Sequence, residues 1–413
     1  MSPTDTAVAG RARTVVTGIG VTAPNGLGTE AYWASTLDGK SGIEPVRRFD
    51  ARGYPAVLAG EVPGFEATEH LAGRLMPQTD HMTRLALVAS DWAIKDAGID
   101  PAELPEFSAG VITAASSGGY EFGQTELQNL WTKGSKYVSA YQSYAWFYAV
   151  NTGQISIRHN MRGPSGVVVS DQAGGLDALA QARRQIRKGT ALVVSGGIDG
   201  SLCPWGWTAQ VAAGNLSTES DPDTAYLPFD ERASGFVSGE GGALLVLEDE
   251  DKARARGAER LYGVISGYAA TLDPRPGSER PAGLGAAVRR ALADAQVNAG
   301  DIDVVFADGA GLPHLDASEA DALNAVFGPG AVPVTVPKTM TGRLYSGAGS
   351  LDVTAALLAI RDGVIPPTVN VTASQRYGLD LVVGQPRETP LRHALVLARG
   401  WGGFNSAVVV SAV

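Results

Sequence analysis

The amino-acid sequence predicts an α/β fold in which stacked, mixed β-sheets are covered by helices. Short apolar runs bounded by glycine, which are typical of buried strands, alternate along the chain with amphipathic segments of helical periodicity. The composition agrees, since 18% of the 413 residues are charged, 44% are hydrophobic and 52 are glycine, as in compact proteins with many tight turns. This length predicts either two domains or one fused unit with an extensive core.

The apolar runs give the strand predictions, and the amphipathic segments give the helix predictions. Buried strands are predicted at 15–20, 111–112, 192–194, 244–247, 304–306, 395–397 and 408–410. Helices are predicted at about 80–97, 174–188, 282–295, 316–326 and 350–362. In the helix after Gly174, Leu176, Leu179 and Ile186 share one face and Gly189 follows the last turn, in agreement with helix-capping physics.

Charge and cysteine content exclude several classes of protein. The formal net charge of −10 and the lack of a long basic block argue against nucleic acid as a partner. The single cysteine, Cys203, excludes an intrachain disulfide and suits a reducing compartment. Residues 1–13 contain no apolar core typical of a signal sequence, and no apolar run approaches the roughly 20 residues that span a bilayer. We therefore expect a cytoplasmic protein that does not associate with a membrane.

Several glycine-rich blocks follow one another along nearly the whole chain. They are 13–26 (RTVVTGIGVTAPNG), 228–241 (PFDERASGFVSGEG), 307–311 (ADGAG), Asp316 with Glu319, 338–342 (KTMTG) and 400–405 (GWGGFN). Any one of these blocks is a weak motif that a structural turn would explain. In this order, however, they resemble the β-ketoacyl synthases. The resemblance implies a thiolase fold, layered α-β-α-β-α and built from two similar halves, which we place at residues 1–262 and 263–413.

The residues that perform condensation in this family are replaced here. The family uses a cysteine nucleophile at a helix N-terminus, where the dipole and exposed N–H groups stabilise a thiolate, together with two histidines. The resemblance puts Gln172 at the cysteine position, within 169–175 (VSDQAGG), Asp308 at the first histidine position and Arg343 at the second. Lys338, which the family also carries, is retained.

These replacements remove the chemical steps of condensation. The carboxamide of Gln172 cannot ionise and cannot form a thioester. An ionised Asp308 would repel a malonyl carboxylate, and Arg343 is permanently charged and cannot exchange a proton. Loss of general acid–base catalysis alone typically lowers a rate by about 10²–10⁴-fold. We therefore predict no residues for condensation in this chain, and we expect Asp308 and Arg343 to pair with each other or with neighbours as buried ions.

Three stretches narrow the resemblance to the chain-length factors, or ketosynthase-beta subunits, of bacterial type II aromatic polyketide synthases. They are 172–175 (QAGG), 146–158 (WFYAVNTGQISIR) and 336–346 (VPKTMTGRLYS). The resemblance implies a heterodimer with an active ketosynthase, in which the growing polyketide extends from the partner's cysteine into a tunnel at the shared interface. It also implies an acyl carrier protein whose phosphopantetheine arm delivers the thioesters, and no cofactor in this chain.

The chain-length gate of this subfamily lies on a helix after a Gly-Gly turn, here 118–127 (GGYEFGQTEL). Tyr120, Gly123 and Leu127 follow i, i+3 and i+7 spacing and therefore share one helical face. Position 123 has no side chain and position 127 has no aromatic ring. We therefore expect a roomier tunnel than in short-chain members of the family, suited to products of decaketide length or longer.

The sequence leaves other interpretations open. In a second functional interpretation the Gln172 amide assists decarboxylation of a malonyl carrier protein and so primes synthesis; in a third, the chain is a true ketosynthase with an unusual reacting residue. Cys203 has no histidine near it in sequence, which indicates a buried apolar cysteine. The histidines have no metal-ligand spacing, so no metal site is predicted, and His314 is predicted in a loop. The aromatic cluster within 141–148 is predicted to lie in the core or at an interface.

Overall fold

The computed structural model describes residues 12–275 and 277–413, and residues 1–11 of the predicted first half lie outside the described part. Each apolar run that was predicted as a strand forms one, because side chains that are apolar on both faces suit a sheet covered on both sides. The strands are β1 (Thr14–Ala23), β2 (Gly26–Leu27), β3 (Ile43–Pro45), β4 (Leu58–Gly60), β5 (Ala109–Ala114), β6 (Ser165–Val168), β7 (Leu192–Asp199), β8 (Ser238–Gly239), β9 (Gly241–Asp249), β10 (Gly263–Leu272), β11 (Val304–Phe306), β12 (Pro333–Thr335), β13 (Val364–Ile365), β14 (Asp380–Leu381), β15 (Arg387–Glu388), β16 (His393–Gly400) and β17 (Phe404–Ser411).

The predicted helices also form, with others between them. The α-helices are α1 (Thr29–Leu37), α2 (Ala67–His70), α3 (His81–Ala97), α4 (Tyr120–Lys133), α5 (Gln142–Ala145), α6 (Val150–Arg158), α7 (Gly174–Arg187), α8 (Pro204–Ala212), α9 (Glu250–Ala255), α10 (Leu284–Ala295), α11 (Pro313–Phe327) and α12 (Ser346–Asp362). Among residues 12–275 and 277–413, no helix is both long and apolar enough to cross a membrane.

Two sets of strands with the same internal order make up the main sheet. The first set runs β6-β5-β7-β9-β1, and the second runs β12-β11-β16-β17-β10, with β14 beside β12. If the five strands of each set are numbered in the order in which they occur along the chain, both sets have the spatial order 3-2-4-5-1. The sets meet where β1 and β10 pair antiparallel, through Val15 with Val264 and Val16 with Gly263. The chain therefore consists of two topologically similar halves, while the boundary at 262/263 stays a prediction.

Helices α7 and α12 form the central layer between the two sets of strands. Both contribute to the largest core cluster, which includes Leu176 and Leu179 of α7, Leu357 of α12 and strand residues of both halves. A second cluster packs α3 and α6 against the outer face of the first set, and a third packs α10 and α11 against the outer face of the second. The order of layers is therefore α-β-α-β-α, as the resemblance implied.

Two helices begin earlier than predicted, and both changes affect the site. Helix α11 begins at Pro313 because proline suits the first turn of a helix, where its missing N–H is not needed. His314 therefore lies in a helix, and its prediction in a loop was wrong. Helix α12 begins at Ser346, four residues before the predicted start, through a run of small residues in which glycine and serine have weak helix propensity. That run allows close packing, since a Cβ added at Gly349 would lie 3.0 Å from Leu176 Cγ on α7.

Candidate functional site

A cavity of about 540 Å³ lies where the start of α7 faces the hairpin between β16 and β17. Its walls include Gln172, Asp308, Arg343 and Tyr120, four of the residues that the sequence singles out. The remaining lining is largely apolar and includes Leu216, Phe236, Leu312, Leu315, Trp401 and Phe404. The fold thus brings the three predicted condensing positions and the first predicted gate position to one cavity, while Lys338, Gly123 and Leu127 lie outside its lining.

Gln172 lies in a tight 3-10 turn, Asp171–Ala173, directly before α7. Asp171 has a φ of 51°, which is unusual for a residue other than glycine, and its Oδ2 accepts a hydrogen bond from Trp401 N at 2.8 Å. The Gln172 side chain is only 4% exposed, and its Oε1 is buried without a hydrogen-bond partner among the described residues. The turn therefore presents an amide to the cavity, and an amide provides neither a thiolate nor an acyl attachment site.

The start of α7 depends on close contact with α12. A Cβ added at Gly174 would lie 2.8 Å from Ser346 Oγ, and one added at Gly175 would lie 2.6 Å from Ser346 O. Because the nearest atoms to Gly175 belong to the backbone, that position needs glycine for the helices to approach this closely, whereas at Gly174 the Ser346 hydroxyl would have to move. The Gly-Gly pair after Gln172 thus fixes the depth at which the amide lies.

Asp308 and Arg343 form a buried, bidentate ion pair. Arg343 Nη2 donates to Asp308 Oδ1 at 2.9 Å, Arg343 Nη1 donates to Asp308 Oδ2 at 3.1 Å, and Nη1 also donates to Asp308 O at 2.9 Å. The backbone N–H of Arg399, on β16, donates to Asp308 Oδ1 at 2.9 Å. Burial opposes ionisation of Asp308, but the charges of Arg343 and Lys338 keep the pKa of Asp308 below its ordinary value. The two charges therefore neutralise each other, which confirms the predicted pairing of Asp308 and Arg343 as buried ions.

Lys338 is also held by a carboxylate. Its Nζ lies 2.6 Å from Asp352 Oδ2 on α12 and donates to Ala307 O at 2.7 Å. Burial raises the pKa of Asp352, and the charge of Lys338 opposes that rise. The retained lysine thus anchors the backbone immediately before Asp308 to the central layer.

Two carboxylates on α11 hold the loop that follows β11. Glu319 accepts hydrogen bonds from Asp308 N at 2.7 Å and Gly309 N at 2.9 Å. Asp316 accepts from Gly311 N and Phe229 N, both at 3.0 Å. Burial raises the pKa of Asp316 to about 6 and that of Glu319 to about 7. The acidic pair noted in the sequence therefore shapes the loop through backbone N–H groups.

The predicted gate lies on α4, as the resemblance implied, but its surroundings differ from the expectation. Tyr120 lines the cavity, and its ring centroid lies 4.7 Å from that of Trp205. Gly123 is buried, and a Cβ added there would lie 3.1 Å from Trp205 Cζ3. Leu127 is 38% exposed. The space beside Gly123 is thus occupied by an indole from α8.

Exposed apolar side chains are concentrated in the segment 127–169, which we call the aromatic segment. They are Leu127, Trp131, Tyr137, Tyr141, Trp146, Phe147, Tyr148, Ile157 and Val169. Within the segment lies β6, which ends the sheet path beside β5 and leaves its outer edge unpaired by the described residues. Apolar surface next to an open strand edge is typical of an interaction surface.

Comparison with known families identifies the two halves. The beta-ketoacyl synthase N-terminal domain matches residues 11–253, and the beta-ketoacyl synthase C-terminal domain matches residues 262–372. The chain belongs to the beta-ketoacyl synthase family. Its layered architecture is accordingly the thiolase fold that is common to this family's members.

Individual relatives narrow the position of the chain within the beta-ketoacyl synthases. The tetracenomycin polyketide synthase ketoacyl synthase beta subunit of Streptomyces glaucescens is 61% identical over 96% of this chain and 97% of its own length. A solved complex contains a type II polyketide synthase acyl-carrier protein with its ketosynthase bound to the hexaketide. One chain of that complex matches with 26% identity and a TM-score of 0.87, covering 98% of this chain and 100% of that one. The ishigamide ketosynthase/chain length factor matches with 28% identity and a TM-score of 0.87 over the same shares. The chain thus groups with the chain-length factors, the ketosynthase-beta subunits of type II polyketide synthases.

Sequence reasoning missed one prominent residue of this beta-ketoacyl synthase. Trp205 is the second residue of α8 and lies against two predicted gate positions, Tyr120 and Gly123, although α4 precedes it by about eighty residues. Pro204 before it is typical of a helix start, but no local pattern links that start to α4. The neighbouring Cys203 is buried, as predicted, and burial raises the pKa of its thiol, which disfavours a thiolate.

Proposed function

We propose that this chain is the non-nucleophilic subunit of a ketosynthase heterodimer, in which it shapes the polyketide tunnel and sets the length of the poly-β-keto chain. The observation that carries the proposal is the chemistry of the cavity. The amide of Gln172 lies at the nucleophile position. The two positions that hold histidine in condensing relatives are occupied by Asp308 and Arg343, which form an ion pair with each other. Bond formation therefore has to use a cysteine on another subunit.

The aromatic segment supports an active ketosynthase as the partner. Trp131 and Ile157 are 81% and 76% exposed, which is costly in water for side chains of this size unless a second surface covers them. The solved relatives include a ketosynthase/chain length factor and a ketosynthase in complex with its acyl-carrier protein. An acyl carrier protein would bring thioesters on its phosphopantetheine arm, and the growing chain would occupy a tunnel at the subunit interface.

The length-setting role rests on α4 and α8. Tyr120 reaches the cavity, Gly123 lies behind Trp205, and Leu127 faces outward on the surface that a partner would cover. A small residue at 123 leaves room for the indole, so the width of the gate depends on both helices. We retain the expectation of a product of decaketide length or longer.

A decarboxylase that acts through Gln172 is the competing proposal. The unpartnered Oε1 of Gln172 favours it, because a buried acceptor without a hydrogen bond is unfavourable and a ligand would relieve that. The surrounding charges oppose it. A malonyl carboxylate would approach Asp171 and Asp308, while Arg343 is already neutralised by Asp308 and Lys338 lies beside Asp352.

The test is co-expression with an active type II ketosynthase, followed by mass spectrometry of both chains and of the product. We expect acyl groups on the partner's cysteine alone, and no carbon dioxide from malonyl carrier protein incubated with the purified chain. In the complex, Gln172→Ala is expected to keep the decarboxylation rate of the parent. An acyl adduct on this chain would overturn the proposal, and a large loss of decarboxylation in the Gln172→Ala complex would favour the decarboxylase.

A further inference from the structure

Helix α8 begins without an oxygen cap of its own. Its N-cap residue is Cys203, whose Sγ accepts from Gly206 N at 3.5 Å, a weak interaction for sulfur. Pro204 occupies the first helical position and has no N–H. The next donor, Trp205 N, is instead satisfied by Gln124 Oε1 on α4 at 2.7 Å. Since a backbone N–H can only donate, the contacting atom of the carboxamide must be its oxygen. Gln124 thus caps the start of α8 from another helix.

This cap lies next to the gate. The Trp205 indole that follows it packs on Tyr120, at 4.7 Å between ring centroids, and covers Gly123. Helix α4 is itself anchored, because Phe122 N donates to the buried Asp80 Oδ2 at 2.8 Å. Helix α8 is anchored separately, because Trp207 is fully buried and its Nε1 donates to Ala56 O at 3.1 Å. Gln124 is therefore the contact that ties Trp205, two residues earlier, to α4.

We propose that Gln124 is a positioning residue for chain length. Its carboxamide holds the backbone of Trp205 so that the indole lies against Gly123, and it does so without lining the cavity itself. When the cap is lost, the backbone N–H of Trp205 loses its partner while Trp207 stays anchored, so the Trp205 indole samples positions farther from α4, which changes the width of the gate. The inference rests on the proposed length-setting function.

Three substitutions at one site separate the cap from other effects. Gln124→Leu removes the acceptor at similar size, Gln124→Asn keeps an amide that is one methylene too short, and Gln124→Glu keeps an acceptor at the same reach and adds a charge that favours a helix N-terminus. The control is Gln128→Leu, the same change one turn along α4 at an exposed position. All four chains are studied in complex with the active ketosynthase.

Two readouts are measured. The first is residue-resolved hydrogen exchange at the Trp205 amide, which we expect to accelerate by about 2- to 30-fold in Gln124→Leu and Gln124→Asn, the usual effect of losing one cap. The second is the ratio of product chain lengths, expected to shift in the same two variants while total product stays constant. Gln124→Glu and the Gln128→Leu control are expected to match the parent in both readouts.

The outcomes distinguish this inference from the function on which it rests. If Gln124→Leu and Gln124→Asn leave the product ratio unchanged while Gly123→Phe alters it, the role of Gln124 is refuted and the gate stands. If neither site alters the ratio, the length-setting assignment itself fails. An unchanged hydrogen-exchange rate at the Trp205 amide in both Gln124→Leu and Gln124→Asn would refute the cap directly. If Gln124→Leu does not fold, the comparison of Gln124→Asn with Gln124→Glu tests the cap in the same way.

Discussion

Arg343 donates hydrogen bonds to both carboxylate oxygens of Asp308, with Nη2–Oδ1 and Nη1–Oδ2 distances of 2.9 and 3.1 Å. The resemblance predicts that condensing members of the family carry histidines at these two positions, where a proton can be donated and recovered. Here a permanently charged group meets a carboxylate whose pKa is held low, so the pair exchanges no proton near neutral pH. The same two side chains also hold the backbone of Arg399, whose N–H donates to Asp308 and whose carbonyl oxygen accepts from Arg343 Nη2 at 3.3 Å.

Removal of one member of this pair is expected to be strongly destabilising. Arg343→Ala leaves the Asp308 carboxylate buried and uncompensated, so we expect a loss of about 3–5 kcal/mol in the free energy of unfolding. Urea titration of the purified chain measures it. The double variant Asp308→Asn, Arg343→Met should recover most of the loss, whereas Arg52→Ala, at an exposed pair with Asp50, should change little. A small loss for Arg343→Ala would show that water reaches the pair.

Glu319 is expected to make stability fall as pH rises toward neutrality. Its pKa is raised from 4.5 to about 7 by burial, so the folded state binds a proton that the unfolded state has released across this window. The stabilisation from protonated Glu319 is complete below the pKa of this side chain in the unfolded chain, and it is lost as pH rises past the pKa in the folded protein. Its slope is at most about 1.4 kcal/mol per pH unit.

The measurement is urea unfolding between about pH 5 and pH 7, the interval in which Glu319 should titrate. Glu319→Gln is expected to flatten the slope, though not to abolish it, since the pKa of Asp316 is also raised, to about 6. Glu259→Gln, at an exposed carboxylate, should keep the slope of the parent. An identical slope in Glu319→Gln would mean that Glu319 is ionised throughout the interval.

A bulky residue at position 123 is expected to shorten the product. In Gly123→Phe the added ring must displace Trp205 or project toward the cavity, because a Cβ alone already lies 3.1 Å from the indole. Mass spectrometry of products from the reconstituted complex should show chains shorter by at least one two-carbon unit. Gly300→Phe is the matched control, since an added Cβ there meets nothing within 4 Å. An unchanged spectrum would remove support for α4 as the gate.

Trp131 is expected to bind the partner and not to support the fold. Because it is 81% exposed, Trp131→Ala should leave the unfolding free energy of the isolated chain unchanged. Aromatic residues at the centre of an interface typically contribute 2 kcal/mol or more, so affinity for the ketosynthase should fall by about 30-fold. Calorimetry or interferometry measures it, with Trp401→Ala, 70% exposed at the cavity mouth, as the control. Equal affinities for both variants would place the interface elsewhere.

The sequence predicted the elements whose signal is local and left unpredicted those that depend on long-range contacts. Strands such as β9 and helices such as α3 have strong apolar periodicity, so their positions followed directly. The start of α12 was predicted late, because the glycines and serines of its first turns are weak helix formers, while in the fold they allow close packing on α7. In the sequence, the missing side chain of Gly123 suggested an empty space beside α4. Only the fold shows that Trp205, from a distant helix, occupies that space.

The Asp308–Arg343 pair also bears on which substitutions the interior tolerates. Replacing Asp308 by histidine leaves a buried guanidinium without its carboxylate, and replacing Arg343 by an uncharged residue leaves the carboxylate without its guanidinium. Each single change is therefore expected to destabilise the fold. The two positions are coupled, so that a substitution at one is tolerated best when the other changes with it.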